Sequence, residues 1–241
     1  MDKVCIENIK LENSNGKTIY VNVCDKKSKN VFIAVHGFDS SKSGSFVNLL
    51  MDSLDASVVS FDLPMHGEST EDLLLSNCIL DLEIVDSYVR DRFSDCSISL
   101  IGSSFGCFVI LNYLKKHSDL EYKNIFFKSA AIKMDKVFSE VLIEEDMDSF
   151  EKRGYSIKNR NKKMLIPYKF YEELVYNRIN MSDFKDREFY LFHGVNDDTA
   201  LYDDLGVSDL SNFHVVKYID NHTFDNSNLL NVVKEIHKVL K

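Results

Sequence analysis

A chain of 241 residues with 44% hydrophobic content can bury one sizeable core, which suits a single domain with room for an insertion and excludes a disordered or fibrous protein. Its formal net charge of −9 argues against the concentrated basic face that a nucleic-acid partner would need. The 5 cysteines, Cys5, Cys24, Cys78, Cys96 and Cys107, are scattered and form no Cys-x-x-Cys pair, so neither a disulfide framework nor a zinc site is expected.

The segment Met1–Glu7 lacks the charged start and long apolar run of a signal peptide, and no apolar run approaches the roughly 20 residues that span a bilayer. The expected setting is cytoplasmic, with no membrane partner. Val4–Leu11 and Thr18–Cys24 are expected strands, joined by Asn13-Ser14-Asn15-Gly16, whose residues suit a hairpin. Val31–Val35 is a continuous apolar run, typical of a strand covered on both faces. Val58–Phe61 and Ile98–Ile101 are the next strands. Between them Ile79, Leu82, Val85, Val89 and Phe93 recur every third or fourth position, the mark of a helix with one buried stripe. Phe108, Leu111 and Leu114 repeat that spacing just after Gly106. Ile125–Phe127, Phe189–Phe192 and Val215–Ile219 are the later strands, and a last helix carries Leu229, Val232, Val233, Ile236 and Leu240. This alternation predicts an α/β fold, a central, mostly parallel sheet flanked by helices.

Residues 133–186 break the rhythm. Acidic residues from Glu140 to Glu151 precede the basic run Lys152, Arg153, Lys158, Arg160, Lys162 and Lys163, and Pro167 then opens a helix where its missing N–H costs least. The segment reads as a small cap inserted over one end of the sheet, leaving 1–132 and 187–241 as the core. Its basic run reads as a solvated hairpin paired with the acidic stretch, or as a bias toward anionic substrates.

The sharpest chemical signal is Gly102-Ser103-Ser104-Phe105-Gly106, set between the strand Ile98–Ile101 and a helical stripe. A strand that turns abruptly into a helix strains the turning residue and crowds its neighbours, which must be glycine. Ser104 would sit at the tip of this nucleophile elbow, with Ser103 as the local competitor, and the Phe105 N–H would face a developing oxyanion. His36-Gly37-Phe38 follows the strand Val31–Val35, where the loop can supply a second donor, the Phe38 N–H. Asp62 and His66, in the loop Phe61–Ser69, read as residues that order it by hydrogen bonding. Asp197 and His222 each lie in a loop after a late strand. A hydroxyl needs a base within reach, histidine titrates near neutrality, and a carboxylate fixes the imidazole tautomer. Asp198, and less so Asp220, are the rival acids.

Four motifs in this order resemble the α/β-hydrolase superfamily over nearly the whole chain. Asp62-Leu63-Pro64-Met65-His66-Gly67-Glu68-Ser69 is similar to its Asp-x-x-Gly-His-Gly-x-Ser loop, with Pro64-Met65 in place of x-Gly. His222-Thr223-Phe224 and the cap of about fifty residues resemble the cinnamoyl/feruloyl esterase-like carboxylesterase branch, whose cap holds a small hairpin followed by a helix. Tyr155–Lys158 and Lys163–Ile166 would be that hairpin, joined by Asn159-Arg160-Asn161, and Tyr168–Arg178 that helix. The resemblance implies cleavage of a small-molecule ester through an acyl-enzyme on Ser104, with His222 as base, Asp197 as acid, Phe38 and Phe105 as oxyanion donors, and no metal or organic cofactor. Phe170, Tyr171 and Leu174 of the cap are candidates for substrate binding. A peptidase, thioesterase or lactonase on the same triad is the second reading, and a relative that binds a ligand without turnover the third.

Overall fold

The computed structural model describes residues 6–159, 163–225 and 228–241. Strands β1 (Ile6–Glu12) and β2 (Thr18–Cys24) form the expected hairpin, followed by β3 (Asn30–Val35), α1 (Ser45–Ser53), β4 (Ser57–Phe61), α2 (Leu75–Arg92), β5 (Ser97–Ser103), α3 (Phe105–Lys116) and β6 (Ile125–Lys128). The next segment holds α4 (Met134–Val137), a π-helical turn at Phe138–Leu142, α5 (Met147–Arg153), the hairpin β7 (Tyr155–Asn159) and β8 (Lys163–Pro167), and α6 (Tyr168–Tyr176). The chain closes with β9 (Phe189–Gly194), β10 (Phe213–Tyr218) and α7 (Leu229–Leu240).

The main sheet has the order β1-β2-β4-β3-β5-β6-β9-β10. β2 runs antiparallel to β1 and β4, and every other neighbouring pair is parallel. Parallel strands need both faces covered, and successive side chains alternate between them. In β3, Phe32 and Ala34 join Val47, Leu50 and Met51 of α1 and Val232, Val233 and Ile236 of α7. Val31, Ile33 and Val35 face the other way, into a cluster with Leu82, Val85 and Val89 of α2 and Phe108 and Leu111 of α3.

Val4 and Cys5 of the first expected strand lie outside the described residues. The last strand begins at Phe213, two residues before the apolar run that suggested it, because Phe213 pairs with Phe189 and stacks on it at 4.8 Å. Ile219, expected to end that strand, is 80% exposed. Helix α1 was not foreseen. The β7–β8 hairpin pairs Tyr155 with Pro167 through Asn159 with Lys163, and Arg160, Asn161 and Lys162 lie outside the described residues. Helix α6 opens after Pro167 and stops at Tyr176, short of the expected Arg178, where the Asn177 side chain donates to the Glu173 carbonyl at 2.8 Å. Among the described residues of the basic run, Arg153 pairs with Glu145 and Lys158 with Asp39.

The β1–β2 turn is tied to α2 by Asn13, whose Nδ2 donates to Asp81 Oδ1 at 2.7 Å and Glu71 Oε2 at 3.0 Å. Burial pushes the Asp81 carboxyl up to about 7, against the hydrogen bond from Asn13. Between the ordinary carboxylate range and about 7, the folded chain keeps a proton that the unfolded chain has lost. Stability therefore falls as pH rises through that window and levels off above it. Asp81→Asn, which keeps an acceptor for Asn13, is expected to raise the urea midpoint more at about pH 8 than at about pH 5.

Candidate active site

β5 ends at Ser103 and α3 begins at Phe105, so Ser104 alone makes the turn. It has φ 51 and ψ −116, a conformation that L residues rarely adopt and that is held only where the surroundings enforce it. The enforcement is visible. The Ser104 N–H donates to the Lys128 carbonyl at 2.9 Å, and its own carbonyl accepts from Cys107 at 3.0 Å. A Cβ on Gly102 would lie 2.9 Å from the Cys107 nitrogen, and one on Gly106 would run into the carbonyl oxygens of Val35 and His36. Both flanks are therefore glycine for lack of space.

Ser104 Oγ lies 2.8 Å from His222 Nε2. On the other side of the ring, Nδ1–H donates to Asp197 Oδ2 at 2.8 Å and Oδ1 at 3.0 Å. Asp197 Oδ1 also accepts the N–H groups of Thr199 (3.0 Å) and Ala200 (2.8 Å). Burial works to raise the Asp197 pKa, but the hydrogen bond and charge of His222 and the Ala200 N–H outweigh it and hold the carboxylate below its usual range. With Nδ1 committed to donating, Nε2 carries the lone pair that faces the serine hydroxyl. The rival residues lie elsewhere. Ser103 is the last residue of β5, paired with Lys128. Asp198 is exposed beside Thr199, and Asp220 accepts from Asn221 and Asn228.

His36 is buried at the end of β3. Its Nδ1–H donates to the Gly37 carbonyl at 2.8 Å and its Nε2 accepts the Leu63 N–H at 3.1 Å. Burial pushes its pKa down to about 4, so the neutral ring pins the loop after β3. Gly37 lies against the elbow, since a Cβ there would be 3.2 Å from Ser104 Cβ. Among the described residues, the N–H groups of Phe38 and Phe105 donate to no protein acceptor. Asp62 orders the next loop by accepting from the Lys42 N–H (2.8 Å), Lys42 Nζ (2.8 Å) and the Glu68 N–H (2.9 Å). Met65, where the resembled pattern has glycine, takes φ 64.

A cavity of about 170 Å³ opens on Ser104, His222 and Phe38, with Val47, Leu50 and Ile101 among its apolar walls. It shares Ser40 and Ser45 with a groove of about 730 Å³ whose other lining residues include Asp39, Ser41, Met65, His66 and Met164. Phe170, Tyr171 and Leu174 border neither space. Phe170 is fully buried against Phe38 (6.3 Å), Phe105 (5.7 Å) and Phe138 (5.4 Å), Tyr171 stacks on Phe138, and Leu174 is buried in the same cluster. Lys128, which sequence reasoning passed over, does line the cavity. Burial pushes its ammonium down to about 8. Its one sequence signal is a cation closing the apolar run Ile125-Phe126-Phe127. Among the described residues no cluster of three or more His, Cys, Asp or Glu side chains could hold a metal ion, and no helix is long and apolar enough to cross a membrane.

A mostly parallel sheet with a strained serine at a strand-to-helix turn, facing histidine and aspartate from later loops, defines a class of hydrolase scaffold. The sequence model of the alpha/beta hydrolase fold matches residues 30–150, half of the chain, and the chain belongs to this family. Similar solved structures include Est1E from Butyrivibrio proteoclasticus, determined with ferulic acid bound. It is 15% identical with a TM-score of 0.76, over 96% of this chain and 97% of that one. The Pyrococcus furiosus esterase Pf2001 is 17% identical with a TM-score of 0.71, over 99% and 90%. Mouse alpha/beta hydrolase domain-containing protein 10 is 16% identical with a TM-score of 0.74, over 97% and 98%. At these identities the likeness speaks for the fold. No curated protein sequence matches the chain.

Proposed function

We propose that the protein is a serine hydrolase that cleaves carboxylic esters of small molecules. The observation that carries this reading is the line from Ser104 Oγ through the His222 ring to Asp197, each link 2.8 Å. Ser104 Oγ attacks the ester carbonyl carbon as His222 Nε2 takes the hydroxyl proton. The N–H groups of Phe38 and Phe105 hold the oxyanion. The carbon–oxygen bond to the alcohol breaks, His222 protonates that alcohol, and an acyl-Ser104 ester remains. Water, deprotonated by the same nitrogen, then releases the acid and restores the hydroxyl. Asp197 keeps Nε2 as the basic nitrogen and stabilises the imidazolium. No step calls for a cofactor, and the working compartment is the cytoplasm.

Residues 133–186 act as a cap, with Phe170 backing Phe38 and Phe105, and Tyr171 and Leu174 packed in the same cluster. The acyl group occupies the cavity of about 170 Å³. At about 30 Å³ for each water-sized group, that space takes about five carbons. On a series of p-nitrophenyl esters, kcat/KM is expected to fall on the order of tenfold or more between about four and about eight acyl carbons. A flat or rising series would remove the cavity as the acyl site. Absence of hydrolysis across the series by folded protein would remove the esterase reading.

A further inference from the structure

His222 is carried on a loop between β10 and α7, and a base on a loop must be held as firmly as one on a helix or strand. Its ring is held by Asp197, and its main chain is held from β6. Lys128 Nζ donates to the His222 carbonyl at 2.9 Å and to Ser129 Oγ at 3.1 Å, and Ser129 Oγ donates to the same carbonyl at 2.7 Å. The ammonium also lies 4.7 Å from the Phe224 ring centre, a cation–π contact with the far end of the turn. The main chain of Lys128 serves the other partner, since its carbonyl accepts the Ser104 N–H at 2.9 Å.

Two features mark this as a built arrangement. Lys128 is only 4% exposed, and among the described residues no carboxylate lies within ion-pairing distance of its Nζ. A buried cation with no carboxylate in direct contact, only the more distant Asp197, Asp220 and Asp225, works against stability, so its use lies in the groups it grips. Ser129 has φ 48 and Phe224 φ 66, strained conformations held at both ends of the same contact.

We propose that Lys128 and Ser129 are positioning residues that clamp the His222 main chain, so that one residue, Lys128, holds both the nucleophile and the base in register. This rests on the reading of His222 as the base. The test compares Lys128→Met and Ser129→Ala, each alone and combined with His222→Ala. The readouts are kcat and KM on p-nitrophenyl acetate and the rate of phosphonylation by a fluorophosphonate. Each single variant is expected to lose on the order of tenfold or more in kcat and phosphonylation rate, with KM moving less than about threefold. In the His222→Ala background neither is expected to slow phosphonylation further, because the group they position is already gone. Wild-type kcat in either folded variant would overturn the proposal. So would a loss of the same size on top of His222→Ala, which is what a general structural role predicts. Ser129→Ala carries the test alone if Lys128→Met does not fold, since it removes a hydroxyl and opens almost no space. If wild-type Ser104 takes no label, the esterase reading fails and the clamp with it; normal labelling of Lys128→Met and Ser129→Ala, with slow labelling of His222→Ala, overturns only the clamp.

Discussion

Ser104→Ala is expected to lower the saturated rate of p-nitrophenyl acetate hydrolysis by about 10⁴-fold or more, with the fold retained. Among the described residues the one side-chain hydrogen bond of Ser104 Oγ is to His222 Nε2, so removing it takes away the proposed nucleophile and little else. Alanine has the same Cβ at φ 51, and the crowded glycines on either side are untouched. His222→Ala is expected to fall in the same range. The double variant should be no slower than the poorer single one, because the two groups act in one proton transfer and lose their effect together. Initial rates under saturating substrate, with thermal melting as a check on folding, measure all three. Losses that multiply would mean that serine and histidine act in separate steps.

Gly106→Ala is expected to cost more than about 3 kcal/mol of stability. The added methyl would meet the carbonyl oxygens of Val35 and His36, which belong to backbone and not to a side chain that can swing away. Val35 is paired with Gly102 of β5 and buried, so β3 has nowhere to retreat. Helix α3 must lift off instead, taking the elbow from the Gly37-Phe38 loop. Gly16→Ala is the matched control. A Cβ there meets nothing within 4 Å, and φ +69 alone opposes it, a cost of about 1 kcal/mol. Urea unfolding of both variants measures the contrast, and equal midpoints would show that the elbow has more slack than its geometry implies.

These expectations rest on the features that were legible along the chain. Apolar runs marked the inner strands of the main sheet, because a sheet covered on both faces leaves few polar positions in them, whereas the edge strand β1 is mostly exposed and was legible from the hairpin turn that follows it. The elbow was legible because the close approach of Cys107 to Gly102 and of the Val35 and His36 carbonyls to Gly106 admits only glycine at both positions. Helix α1 was hidden by its entry, Ser40-Ser41-Lys42-Ser43-Gly44, which reads as loop, and by its length of nine residues. The edges of β10 follow its pairing with β9, which no local pattern records. Asp197 and His222 were singled out by order and context, and the structure brings both to Ser104, but the choice of Asp197 over its neighbour Asp198 depends on which carboxylate turns toward the ring. Phe170, Tyr171 and Leu174 showed that they face inward, not whether they face a cavity or other aromatic rings. The Lys128 clamp depends on β6, β9 and the turn after β10 meeting at one point, a property of the assembled sheet.

The most direct test of the central claim is to treat the folded protein with a fluorophosphonate and map the adduct by peptide mass, beside Ser104→Ala. A single adduct on Ser104, absent from the variant, is the predicted result, because the reagent needs an activated hydroxyl and donors for its phosphoryl oxygen. An adduct on Ser103, or none on folded protein, would contradict it.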